Sequence, residues 1–134
     1  MKEKVSVTPD ATAQDVAMKI MSSGLAAMPV IDADRKVLGV VAENAILDAI
    51  RDERDLEGIP ASTIMVPAPI VADADTPPKD LVELLLKSCC SIIVVVKDDK
   101  YVGVISRHMM IDIFTSPNYP RFAAKDRKAP FQCL

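Results

Sequence analysis

The chain says the same thing twice. Val37-Leu38-Gly39-Val40-Val41, followed by a helical pattern ending near Asp48, returns 64 positions later as Tyr101-Val102-Gly103-Val104-Ile105 with a helical pattern through Asp112. At that offset Thr12 falls on Thr76, Val30 on Val94, Asp34 on Asp98, Lys36 on Lys100 and Gly39 on Gly103. A unit of this size duplicated once is expected to fold as two like halves packed about a pseudo-twofold axis. Function is then expected in the clefts between the halves rather than in one catalytic residue.

Each copy reads β-α-β-β-α, an α+β class. Val5-Ser6-Val7 is a short alternating strand, and Thr12 with Asp15 three residues on has the form of a capping box. Val16, Ala17, Ile20 and Met21 share a helical face that Gly24 ends. Met28-Pro29-Val30-Ile31 and Val37 to Val41 read as antiparallel strands around the polar turn 32–36, and a helix from about Glu43 to Arg51 follows. Arg51 to Ser62, charged and broken by Gly58 and Pro60, is expected to join the copies. In the second copy a strand starts near Ile70-Val71, and Thr76 is expected to cap a helix whose first turn holds Pro77 and Pro78. Leu81, Leu84 and Leu85 carry the apolar face of that helix. Ile92 to Val96 lacks polar alternation and is expected to be buried on both faces, pairing with Tyr101 to Ile105 around Lys97-Asp98-Asp99-Lys100. The last helix runs to about Phe114. The division is repeat one at 1–56, repeat two at 57–116 and an irregular basic tail at 117–134.

Composition narrows the classes of function. A chain of 134 residues, half of them apolar, can bury roughly two thirds of its unfolded surface in one compact body. The longest apolar run, Ile92 to Val96, is far short of the ~20 residues that cross a bilayer, and residues 1–20 carry no signal-peptide pattern. The expectation is a soluble, cytoplasmic chain, unless it was cut from a larger membrane protein. Arg121, Lys125, Arg127 and Lys128 against Asp126 make the tail +3, which leaves −6 on the body of a chain whose net charge is −3. An acidic body argues against nucleic acid as the ligand. Cys89 and Cys90 are adjacent in an apolar stretch, Cys133 is penultimate, and His108 is the one histidine, so a zinc site lacks its ligand spacing. The aspartates at 32, 34, 73, 75, 98 and 99 sit in or beside turns, where carboxylates help to form the turn. The methionines Met18, Met21, Met28, Met109 and Met110 read as adaptable core packing.

Gly24-Leu25-Ala26-Ala27-Met28-Pro29-Val30-Ile31-Asp32 with Leu38-Gly39-Val40-Val41, and in the second copy Val71 to Thr76, Ile93-Val94-Val95 and Val102-Gly103-Val104-Ile105-Ser106, resemble the CBS-domain pair. This is the tandem regulatory module named after cystathionine β-synthase, and the match covers about residues 3–114. The resemblance implies two clefts that in many members bind AMP, ADP, ATP or S-adenosylmethionine. It places candidate ligand contacts at Ser6, Val7, Met28 and Pro29 in one cleft and at Ile70, Val71, Ile92, Ser106, Arg107 and Met109 in the other. It also implies a homodimer through helices, with which apolar Ala45, Ala49, Met109, Met110 and Ile113 are consistent.

The family's ribose-holding pattern is a Thr or Ser followed three residues on by Asp. Here those positions are Ala42 and Ala45, and Ser106 and Met109, so one hydroxyl survives and no carboxylate does. The loss is worth a few kcal/mol of binding. The phosphate-side positions are Ala26 and Ala27, and Cys90 and Ser91, which hold no cation, while Arg107 and His108 lie beside Ser106. His108 has no nucleophile or carboxylate placed with it as a catalytic base would need. With no Gly-rich phosphate loop and no acid–base pair, the expectation is a non-catalytic regulatory module acting on an unknown protein, with no metal and no membrane partner. The alternative is a structural dimerisation or protein-interaction module with vestigial clefts.

Overall fold

The computed structural model describes residues 5–67, 70–88 and 91–117, in two compact units, 5–67 and 70–117. Cys89, Cys90 and the basic tail beyond 117 lie outside the described residues. The first unit contains α1 (Ala13–Ser23), β1 (Ala27–Ile31), β2 (Val37–Ala42), α2 (Glu43–Arg51), a 3-10 turn (Leu56–Gly58), α3 (Ala61–Ile64) and β3 (Val66–Pro67). Its sheet has the order β1-β2-β3, antiparallel throughout. The second unit contains β4 (Val71–Asp73), α4 (Pro78–Lys87), β5 (Ile92–Lys97), β6 (Lys100–Ser106) and α5 (Arg107–Thr115). There β4 runs parallel to β5, and β5 pairs antiparallel with β6.

Helix α1 starts where the sequence predicts. Thr12 Oγ1 accepts from the Asp15 amide at 3.1 Å, and Asp15 Oδ2 accepts from the Thr12 amide at 3.0 Å. This reciprocal cap satisfies two donors that a helix start leaves orphaned and stabilises it by about 1 kcal/mol. Gly24 ends the helix at φ +74°, a conformation that suits a residue without Cβ, and its amide donates to the Ile20 carbonyl at 3.1 Å. Val16 and Ile20 turn inward against Met28, Val30, Val41 and Ile46.

The stretch expected only to join the copies is built into the first unit. Ile59 and Ala61 are buried in its core, Ala13 N donates to Ile59 O at 2.8 Å, and Ala61 N donates to Ala11 O at 2.7 Å. Its apolar residues are too few to show periodicity, yet each fills a place beside α1. At the other end of the unit, Val5 to Val7 forms less strand than its alternation predicts. Val7 pairs parallel to Val30 in an isolated bridge, through Val7 N to Pro29 O and Ile31 N to Val7 O, both 2.9 Å.

The two units correspond, but not at one offset. Met28 pairs with Val41 in the first hairpin, and Ile93 with Ile105 in the second. Val41 and Ile105 are 64 residues apart, whereas Met28 and Ile93 are 65 apart. Everything before the hairpin tip follows the longer spacing: the bulge after Val30 recurs after Val95, and buried Val16 and Ile20 recur as buried Leu81 and Leu85. The difference lies in the tip. In the first hairpin Asp32 Oδ1 accepts from the amides of Asp34 and Lys36, both at 2.9 Å, and Arg35 takes φ +66°. In the second, Asp98 and Asp99 make a tighter turn with φ +53° and +62°, both left-handed as a two-residue hairpin turn requires.

This corrects the expected cap of α4. The residue that corresponds to Thr12 is Pro77, which stands at the N-cap and makes no side-chain bond, with Pro78 at the first helical position. Thr76 lies one residue too early, its amide bonded to Asp73 O at 3.0 Å. Leu81 and Leu85 pack on Ile93, Val95, Ile105 and Met110. Ile92 and Val94, on the opposite face of β5, are equally buried, as the apolar run predicts.

Met18 and Met21 are not core residues: they are 62 % and 81 % exposed on α1. The apolar surface expected around Ala49 and Met110 is corrected too, since both are buried within their own units. Leu47, Ile50 and Ile111 are the exposed large apolar residues on α2 and α5 instead.

Candidate ligand site

In each unit the candidate residues gather at one end of a sheet. In the second unit this is where β4 and β5 begin and β6 ends. Ile92 pairs with Ser106, Val71 pairs with Val94, and the Ile70 carbonyl accepts from Val94 N at 3.4 Å. Ile92 is buried, while Ile70 and Val71 are exposed and Met109 is half-buried. The fold thus brings Ile70, Val71, Ile92, Ser106, Arg107 and Met109 together around one sheet end.

Ser106 and Arg107 have defined partners there. Ser106 is the N-cap of α5 and its Oγ accepts from Met109 N at 3.1 Å, as a Ser at this position is suited to do. Arg107 opens the helix and folds back. Nη1 donates to Ser91 Oγ at 2.9 Å, and Nη2 donates to Ser88 O at 3.0 Å and Leu85 O at 3.2 Å. The guanidinium therefore closes the carbonyl end of α4, with Lys87 the other basic group in that last turn. Its backbone amide also donates to Ser91 O at 3.4 Å. Ser91 sits at φ +64°, a conformation that costs a non-glycine residue about 1 kcal/mol, and both Arg107 bonds hold it there. Buried Ser88 spends its hydroxyl on Ile92 O at 2.8 Å.

The first unit repeats the backbone without the clamp. Glu43 N donates to Ala26 O at 3.0 Å, the counterpart of the Arg107–Ser91 bond, but the side chain is a carboxylate instead of a guanidinium. Ala42 is the N-cap of α2 and makes no side-chain bond. Met28 and Pro29 are fully buried, Val7 is buried and Ser6 half-buried. Lys19 Nζ donates to Ser6 O at 2.8 Å, a cation beside the candidate strand that the sequence reading missed. The signal was available: Lys19 lies one turn from Val16 on α1, on the side that faces the entering chain. Ser91 was expected only as a phosphate-side position without a cation; its bond to Arg107 was not foreseen, because it rests on backbone conformation.

Elsewhere, the Thr8 hydroxyl donates to Asp10 Oδ1 at 2.6 Å and lowers the exposed Asp10 carboxyl below its ordinary value. Among the described residues no group of three His, Cys, Asp or Glu side chains converges as a metal site. No helix among them is long and apolar enough to cross a membrane.

The CBS-domain family profile matches residues 1–52 and 61–116, and the chain belongs to that family as a CBS-domain pair protein. Among solved structures it is similar to the CBS-pair protein CBSX2 from Arabidopsis thaliana, with TM-score 0.71 and 22% identity, over 81% of this chain and 83% of that one. A CBS domain protein from Pyrobaculum aerophilum complexed with AMP matches with TM-score 0.69 and 25% identity, over 87% of this chain and 95% of that one. Among curated proteins, the glycine betaine/proline betaine transport system ATP-binding protein ProV of Escherichia coli is 29% identical over 82 residues, 61% of this chain and 19% of that protein. The chain thus spans about a fifth of the length of the curated relatives it matches.

Proposed function

We propose that this chain is a non-catalytic regulatory module that takes an adenosine-type ligand, from among AMP, ADP, ATP and S-adenosylmethionine. The observation that carries the reading is the sheet end of the second unit, where exposed Ile70 and Val71 on one side of β5 and the Ser106 hydroxyl, at a helix start, on the other share one end of the sheet. Apolar side chains there offer a face for adenine, and the hydroxyl offers a partner for ribose. A relative of the same fold is complexed with AMP. Binding would act by favouring one arrangement of the chain over another in proportion to its difference in affinity for the two. The regulated protein is a separate chain or a longer polypeptide of which this is a part. The cysteine usage fits a cytoplasmic setting.

Thermal unfolding of the full chain with AMP, ATP and S-adenosylmethionine tests this. A ligand at 100 times its Kd stabilises by about 2.7 kcal/mol, which raises Tm by roughly 10 °C in a chain of this size. No shift with any adenosine compound sinks the reading.

A second reading is favoured by a different observation, and the two are compatible. Met21 and Leu86 are structural counterparts on α1 and α4, Leu47 and Ile111 are counterparts on α2 and α5, and all four are more than half exposed. Apolar positions kept open in both repeats fit a homodimer, since an isologous partner presents the same faces. With both ribose carboxylates replaced by Ala45 and Met109, dimerisation alone remains as the function if no ligand binds. Native mass spectrometry reads mass and any co-purified small molecule together.

A further inference from the structure

We infer that two copies of this chain pair like with like: the α1–α2 face of the first unit meets the α1–α2 face of another copy, not that copy's α4–α5 face. The inference rests on the homodimer reading above and adds which half meets which.

The exposed apolar counterparts, Met21 with Leu86 and Leu47 with Ile111, would be covered by either pairing. Their surroundings differ between the units. Gln14, Met18 and Ser22 lie one turn apart in a row along α1, and at the spacing of 65 they correspond to Lys79, Glu83 and Lys87 on α4. The first row is uncharged, with exposed Met18 at its centre. The second is an exposed ladder of cation, anion and cation. On α2, exposed Ile50 extends the apolar area, whereas its counterpart Phe114 is half-buried against the core of its own unit. The first unit therefore presents Met18, Met21, Leu47 and Ile50, and the second a smaller apolar area edged by charge.

That difference sorts the faces. Crossed pairing would lay the charged row of one copy on the Met18 row of the other and take its charges out of water beside a thioether. Like pairing sets Met18 against apolar side chains, as an isologous contact does when a patch meets itself. It also lets each Glu83 reach a lysine of the other copy's ladder, because a cation stands one turn to either side of it. The charged ladder thus serves as a device against the wrong partner face.

Sedimentation velocity of the full chain, alone and in mixtures of charged variants, tests the inference. A lysine chain carries Met18→Lys with Leu47→Lys, and a glutamate chain carries Met18→Glu with Leu47→Glu. A third chain carries Leu86→Glu with Ile111→Glu. All these positions are exposed, and circular dichroism checks that each chain is folded. The expected result is that the lysine and glutamate chains each self-associate at least about 10-fold more weakly than wild type, and that mixing the two restores a dimer. The lysine chain mixed with the third chain should stay largely monomeric. A lysine chain that prefers the third chain to the glutamate chain, or that shows no preference, overturns the inference and leaves the homodimer reading standing. If a doubly charged chain does not fold, Leu47→Lys, Leu47→Glu and Ile111→Glu alone make the same comparison. A wild-type chain that remains monomeric overturns the inference and the homodimer reading together.

Discussion

Replacing Gly39 by alanine probes the seat of the short strand β3. An ideal Cβ at Gly39 would lie 2.7 Å from the Val66 carbonyl oxygen and 2.8 Å from Met65 Sδ. The thioether can rotate away, but the carbonyl belongs to the backbone that pairs Val40 with Val66 and Gly39 with Pro67. To reach an ordinary carbon–oxygen separation of about 3.3 Å, β3 must retreat by roughly half an ångström and lengthen that ladder. Overpacking of this kind costs about 1–3 kcal/mol. The φ of Gly39 is outside the left-handed region, so alanine recovers about 0.4–1 kcal/mol by restricting the unfolded chain. The net loss is about 1–2 kcal/mol, read as a Tm lower by roughly 3–8 °C in a thermal melt. Gly58→Ala is the internal control. The nearest atom to its Cβ would be Asp55 Oδ2 at 3.9 Å, so the entropic gain is unopposed and Tm should hold or rise slightly. A Gly39→Ala protein as stable as wild type would refute the close-packed seat for β3.

Three further outcomes follow from the packing. Thr12→Ala removes a working cap and should cost about 1 kcal/mol in urea unfolding, whereas Thr76→Ala should stay within about 0.5 kcal/mol because Thr76 caps nothing. Leu81→Ala empties a fully buried place among Leu85, Ile93 and Ile105 and should cost about 2–5 kcal/mol by the same assay. Leu86→Lys combined with Ile111→Lys, both at exposed positions, should leave Tm nearly unchanged yet shift sedimentation toward the monomer; a protein of unaltered mass in solution would remove these positions from the dimer contact.

Most elements of the fold were legible in the sequence, because each carries a local signal. The Thr12–Asp15 box, Gly24, the apolar run of β5 and the paired aspartates of the second turn all do in the structure what their chemistry suits them to do. Phase was harder to read. A single offset of 64 aligns Thr12 with Thr76 and Val30 with Val94, matches that look persuasive residue by residue. The helix faces disagree with it: at 64 the inward Val16 falls on polar Asp80, and at 65 it falls on buried Leu81. Reading burial periodicity ahead of identity would have found the slip. The candidate site was legible in its missing groups, Ala42, Ala45 and Met109, since a side chain that cannot bond is plain from its type. What Arg107 does was not. Its partners are two main-chain carbonyls and a hydroxyl some twenty residues away, and no spacing rule reports them.

The unequal hairpin tips have a consequence for how such a doubled chain tolerates change. Losing one residue inside a strand would turn every following side chain to the wrong face of the sheet. Here the discrepancy is absorbed where the chain reverses, five residues between Ile31 and Val37 against four between Val96 and Tyr101, so the apolar faces on both flanks survive. The tip behaves like an expansion joint in a rail. Length can be added or removed there while the track on either side keeps its gauge.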